Sequence, residues 1–186
     1  PLLSAAAVQF AYMGGFVITP ALLSRRYGWT TGAIALLMMP RPGAFSVASL
    51  AGGWLPSRIG FRWPIMIGAL SMAASMIAFA AASPLTGAVG IGLIVLGLVL
   101  SGVASGIYQP SVAAMSVNAV DEADLGIANG MNQQMIFVGI VAGIQTMNVL
   151  VGESSDSARF VQTYLVGLGF ALVGFVFASL AKDVPR

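Results

Sequence analysis

The sequence predicts an all-α membrane protein, a bundle of six transmembrane helices, and three observations carry that prediction. The 186 residues are 58% hydrophobic and only 8% charged, with a mean hydropathy of +0.93, whereas a soluble domain carries roughly 25% charged residues. Six separate stretches reach the length of about 20 apolar residues that a helix needs to cross a bilayer. No strand-type alternation is sustained between them, which argues against a barrel.

The stretches follow one another with short connections, so sequential helices should lie antiparallel in a single bundle over residues 1–186. The first covers about 3–23 and ends in the basic, aromatic turn SRRYGW. The second covers 31–55 and should stop at Pro56. The third covers 64–82 and is closed by the turn SPLTG. The fourth, 88–117, is long, and Pro110 predicts a kink within it. The fifth, 124–151, follows the acidic turn NAVDEAD, and the sixth, 160–181, follows the polar loop GESSDSAR.

Six spans place both termini on one side, with Arg58, Arg62, Lys182 and Arg186. Arg25, Arg26 and Arg159 fall on the other side, a balance too even for the positive-inside rule to set orientation. The chain begins at Pro1 directly in apolar sequence, and we read it as part of a longer or trimmed protein. Twenty-three glycines include three small-residue repeats, Gly102/Gly106, Gly126/Gly130 and Gly139/Gly143, expected to let helix backbones approach closely in lipid. The alternative is that some serve as flex points.

Composition also excludes functions. Eight basic against six acidic residues are too few for a nucleic-acid footprint. With no cysteine and no histidine, thiolate or imidazole metal sites and Cys–His nucleophile pairs are absent. No metal and no cofactor is expected, and no acid–base pair lies at membrane depth to support an enzyme.

The loop after the second helix reads Gly53-Trp-Leu-Pro-Ser-Arg58-Ile-Gly60-Phe-Arg62. It resembles the cytoplasmic signature loop of the major facilitator superfamily, G-x-x-x-D-R-x-G-R-R, in its weaker second-half copy. Gly53, Arg58, Gly60 and Arg62 match, Ser57 replaces the aspartate, and Phe61 replaces the first closing basic residue. Upstream, Pro20 through Gly32 and then Met39-Pro40-Arg41 are similar to the fourteen-helix drug:proton antiporter branch, where "P-R" occurs in the corresponding helix. The resemblance implies half of a major facilitator fold, namely a C-terminal six-helix half with this loop in the cytoplasm. It further implies proton-coupled efflux of small drug-like or amphipathic molecules, as in bacterial plasma (inner) membrane antiporters, by alternating access between two halves. In the family the aspartate helps latch one conformer, so Ser57 implies a weaker latch. Physically, Gly53 would allow tight packing, Gly60 a turn with positive φ, and Arg58 and Arg62 contact with anionic headgroups or helix ends.

Arg41 is the residue of most functional interest. Ten residues into the second helix at 1.5 Å per residue, it lies about 15 Å deep, near the middle of a ~30 Å hydrocarbon core. A charge there is costly and should face a cavity or a partner. Pro42 removes a backbone N–H, and the carbonyls it frees could satisfy the guanidinium. The structural alternative is an arginine tied only to such carbonyls and neighbouring helices. Asp121, Glu122, Asp124, Glu153, Asp156 and Asp183 all fall in loops or at helix ends, so the counter-charge and any coupling carboxylate are expected from a missing N-terminal half.

The fifth helix holds the densest uncharged polar set. Asn129, Asn132 and Gln133 fall in an arc of about 100°, and Gln134, Gln145 and Asn148 in one of about 60°. One arc suits a cavity and the other bonding across helices; the residues leave open which. Gln9 and Tyr12 in the first helix, and Tyr108 and Gln109 beside Pro110, are further lining candidates. The expected partners are membrane lipids, a small-molecule substrate, and the missing half or another membrane subunit. A competing reading is a degenerate half-bundle that scaffolds a larger complex without transporting.

Overall fold

The computed structural model describes residues 2–181, and six helices in it are long and apolar enough to cross a membrane. In chain order they are α1 (Leu2–Tyr27), a second span made of α2 (Thr31–Met38) and α3 (Pro40–Ile59), α4 (Arg62–Ala82), α5 (Ala88–Asn118), α6 (Leu125–Val151) and α7 (Ser157–Leu180). One short 3-10 turn, Glu122–Asp124, leads into α6. The sequence readings of Lys182, Asp183 and Arg186 lie outside the described residues.

Prolines account for the main departures from the expected boundaries. The second span is interrupted at Met39, because Pro40 has no N–H to offer the Leu36 carbonyl. That carbonyl accepts instead from the Met39 N–H at 3.2 Å, a tighter turn than the α-helical one. Pro56, by contrast, does not end the helix. The backbone continues to Ile59 and stops at Gly60, which takes φ 81°. α5 likewise runs through Pro110 without interruption. At the start of α7 the Asp156 side chain accepts from the Ala158 N–H at 3.0 Å. This N-cap satisfies an orphan donor and begins the helix three residues before the apolar run.

The spans pack in the order α6, α1, α7, α4, α5, α3, each against the next. α3 and α6 are therefore the flanks of the bundle, and among the described residues they do not touch each other. α1 meets α6 in parallel: a Cβ on Gly139 would collide with the backbone of Ala6, and one on Gly143 with that of Phe10. α3 meets α5 in parallel in the same manner. Gly102 lies on the Arg41 carbonyl and Ala44, and Gly106 on Phe45 and Ala48. Two of the three small-residue repeats thus act as packing faces. The third does not, since a Cβ on Gly126 or Gly130 would meet nothing within 4 Å.

The crossing of α3 and α5 also uses two prolines. Pro110 leaves the Gly106 carbonyl without its i+4 donor, and Gly52 is seated on that carbonyl. Pro56 does the same to the Gly52 carbonyl, and the Ser111 Oγ lies 3.4 Å from it. Ser111 shares its single proton with the Ile107 carbonyl at 2.8 Å. Gly52, rather than Gly53, is the residue that close packing requires; a Cβ on Gly53 would meet open space.

Hydroxyls pin the inner helices. Tyr108 Oη donates to Ser4 Oγ at 2.7 Å, and Ser4 Oγ donates to the Gly174 carbonyl at 2.7 Å, joining α5, α1 and α7. Tyr164 on α7 meets Thr19 Oγ1 on α1 at 3.1 Å. At one end of the bundle, Arg25 donates to the Gly152 carbonyl at 2.7 Å, and Tyr27 Oη to the Leu85 carbonyl at 2.8 Å. Three loops are thereby tied together on the side opposite Arg58 and Arg62.

The glycine contacts give a direct test. Gly143→Val would push Phe10 away and should destabilise the chain by about 1–3 kcal/mol, the usual range for overpacking. Gly130→Ala, which meets no atom of this chain, should stay within about 0.5 kcal/mol. Thermal unfolding of the purified variants in detergent checks both.

Candidate functional site

The most developed polar feature at membrane depth is built by α1, α3 and α5 around Arg41. Tyr12 and Phe16 are four residues apart on α1, so their rings stand on one helix face with a slot between them. The Arg41 guanidinium enters that slot, 3.8 Å from the Tyr12 ring centroid and 4.0 Å from that of Phe16. Its Nη2 donates to the Tyr12 carbonyl at 3.1 Å. The satisfying acceptor is therefore a carbonyl of α1, whose second lone pair remains available inside a helix, and not one freed by Pro42.

Arg41 is 4% exposed, and its Nε has no hydrogen-bond partner. Ring faces and one carbonyl offset only part of the cost of removing a guanidinium from water. A cleft of about 320 Å³ opens beside it, lined by Tyr12, Met13, Phe16, Arg41, Pro42, Phe45 and Gln109. The Gln109 Nε2 donates to Ser105 Oγ within α5, at 2.5 Å, which fixes the amide at the cleft edge. Gln9 lies one turn along the same face of α1 as Tyr12 and Met13. It is buried, with its Oε1 unpartnered.

The structure thus brings Arg41, Tyr12 and Gln109 together and sets Gln9 on the same α1 face. It separates the others. Tyr108 neighbours Gln109 in sequence but is 1% exposed and is committed to Ser4; a helix turns by about 100° per residue, so adjacent residues face different ways. On α6, Asn132 is buried with its Oδ1 unpartnered, while Asn129, Gln133, Gln134, Gln145 and Asn148 are exposed on the flank of the bundle. None of these six lines the Arg41 cleft.

Sequence reasoning missed Met13, Phe16 and Phe45 as lining residues. Phe16 was signalled by its i+4 spacing from Tyr12, a pair suited to clasp a cation. Phe45 carried no comparable signal, since its exposure to the cleft depends on how α3 packs on α5.

The signature loop forms a second, separate cluster, about 25 Å along α3 from Arg41. The Arg58 guanidinium lies 4.3 Å from the Trp54 ring centroid, and Ser57 Oγ donates to the Trp54 carbonyl at 2.6 Å. Gly60 takes the positive φ expected of it, and Arg58 and Arg62 are exposed. Among the described residues no group of His, Cys, Asp or Glu is placed to hold a metal ion.

Six helices long and apolar enough to cross a membrane, with a cleft walled by aromatic rings and Arg41, describe a polytopic membrane protein. The chain matches the Major Facilitator Superfamily over residues 2–186 and belongs to that family, whose members move small molecules across membranes. No curated protein matches it.

The two tyrosines separate structure from site. Tyr108→Phe should cost about 0.5–1.5 kcal/mol of stability through loss of the hydroxyl chain to Ser4 and Gly174. Tyr12→Ala should instead uncover the Arg41 guanidinium. Thermal melts, combined with solvent accessibility of Arg41 to an arginine-selective reagent, read the two effects.

Proposed function

We propose that this chain is the C-terminal six-helix half of a proton-coupled exporter of drug-like or amphipathic compounds, working by alternating access in a bacterial plasma membrane. The observation that carries this reading is the aromatic cleft at mid-depth with Arg41 in its wall. In transporters of inverted-repeat design, substrate sites lie near the bilayer midplane between repeats, and a position about 15 Å along its span suits Arg41 to such a site.

The flanks support a second bundle. α3 presents Val47, Leu50 and Trp54 outward, and α6 presents five amides. Amides left facing hydrocarbon cost free energy, whereas a partner half can bond them. The same half would supply the membrane-embedded carboxylate for proton coupling, since the acidic residues of this sequence fall in loops or at the ends of the six apolar spans. Arg58 on Trp54 and Ser57 on the Trp54 carbonyl suit a loop that holds the end of α3 in one state, with a weaker latch than an aspartate provides. The scaffold reading draws on the same Ser57 substitution.

Efflux in proteoliposomes of the whole protein, driven by an imposed proton gradient, tests the proposal. Wild type should export an amphipathic fluorescent substrate. Arg41→Ala should lower the rate by tenfold or more, about the effect of losing a charge-assisted contact. Gradient-independent behaviour would remove proton coupling, and absence of any transport by folded wild type would favour the scaffold.

A further inference from the structure

We infer that the Arg41 cleft selects organic anions with a flat aromatic body over lipophilic cations; the inference rests on the transporter reading above and names the substrate class of the same site. Three features of the cleft converge on it. The first is charge. Arg41 is buried and lines the cleft, and the carboxylates of the sequence fall in loops or at the ends of the apolar spans. The charge that this chain contributes to the cleft is therefore positive, and low-dielectric walls strengthen its field.

The second feature concerns the rings. Aromatic walls often serve lipophilic cations through the negative faces of their π-systems. Here the Tyr12 and Phe16 faces are already turned to the Arg41 guanidinium, at 3.8 and 4.0 Å. A cationic ligand would find those faces occupied and would meet a like charge beside them. A carboxylate would find the reverse: an opposite charge on a guanidinium whose position is fixed by the Tyr12 carbonyl and the two rings.

The third feature is shape and size. The cleft of about 320 Å³ is at the small end of ligand sites, which span roughly 300–1,000 Å³. It suits one or two fused rings. Phe45 and Met13 provide apolar wall, and Gln109 contributes a polar edge. A ligand with its carboxylate at the Arg41 guanidinium and its ring along Phe45 would pair the charge and cover apolar surface together.

Three probes sharing one ring system test this: 1-naphthoate, 1-naphthylmethanol and 1-naphthylmethylammonium. Binding to the whole protein in zwitterionic phosphatidylcholine nanodiscs is read from naphthyl fluorescence, against empty nanodiscs. We expect saturable naphthoate binding, about tenfold tighter than the alcohol and tighter still than the ammonium. Arg41→Gln should abolish the preference for naphthoate, and Gln109→Leu should preserve it. Equal or tighter binding of the ammonium overturns the inference while leaving the cleft as a ligand site. No saturable binding of any probe by folded protein overturns the inference and the transporter reading of the cleft together. If Arg41→Gln does not fold, the ranking of the three probes on wild type decides alone.

Discussion

Backbone contact at glycine is the constraint on which this bundle depends. In a bilayer, lipid tails are as apolar as leucine, so helices associate through close packing and polar bonds and not through hydrophobic exclusion. Gly139 and Gly143 let α6 rest on the backbone of α1, while Gly102, Gly106 and Gly52 do the same between α3 and α5. The second contact reaches the functional site directly. Gly102 lies against the Arg41 carbonyl, so the approach of α5 to α3 determines where the Arg41 backbone sits. Its side chain is then committed to the slot on α1 between Tyr12 and Phe16.

That arrangement explains how a buried arginine is tolerated in an apolar span with no carboxylate bonded to it. One carbonyl and two ring faces take up part of the charge. The Nε is left without a partner, and the cleft adjoins the same side chain. Packing and the candidate site meet at this residue, because the contacts that hold it are on the same α1 face that lines the cleft.

The prolines divide into two kinds by what receives the carbonyl they release. At the α3–α5 crossing, the Gly106 carbonyl meets Gly52 and the Gly52 carbonyl lies near Ser111, so Pro56 and Pro110 sit inside intact helices. At Met39 the local chain answers instead, by a tighter turn to Leu36, and the second span divides. α2 is left with Ile34 as its only buried side chain among the described residues, whereas α3 is held by α5 along its length.

The number of spans and their class were legible in the amino-acid sequence, because they follow from runs of apolar residues. The turn at Gly60 was legible too, since positive φ leaves few alternatives to glycine. Which polar residues share a cleft was not. Tyr108 and Gln109 are neighbours in the chain yet one ties three helices together and the other edges the cavity. Phe45 and the orphan on Gln9 likewise depend on helix rotation and crossing. Hydropathy sets how many helices there are and where they cross the membrane; only tertiary packing, through glycine contacts that the linear pattern underdetermines, decides which face of each helix meets a neighbour and which meets the cleft.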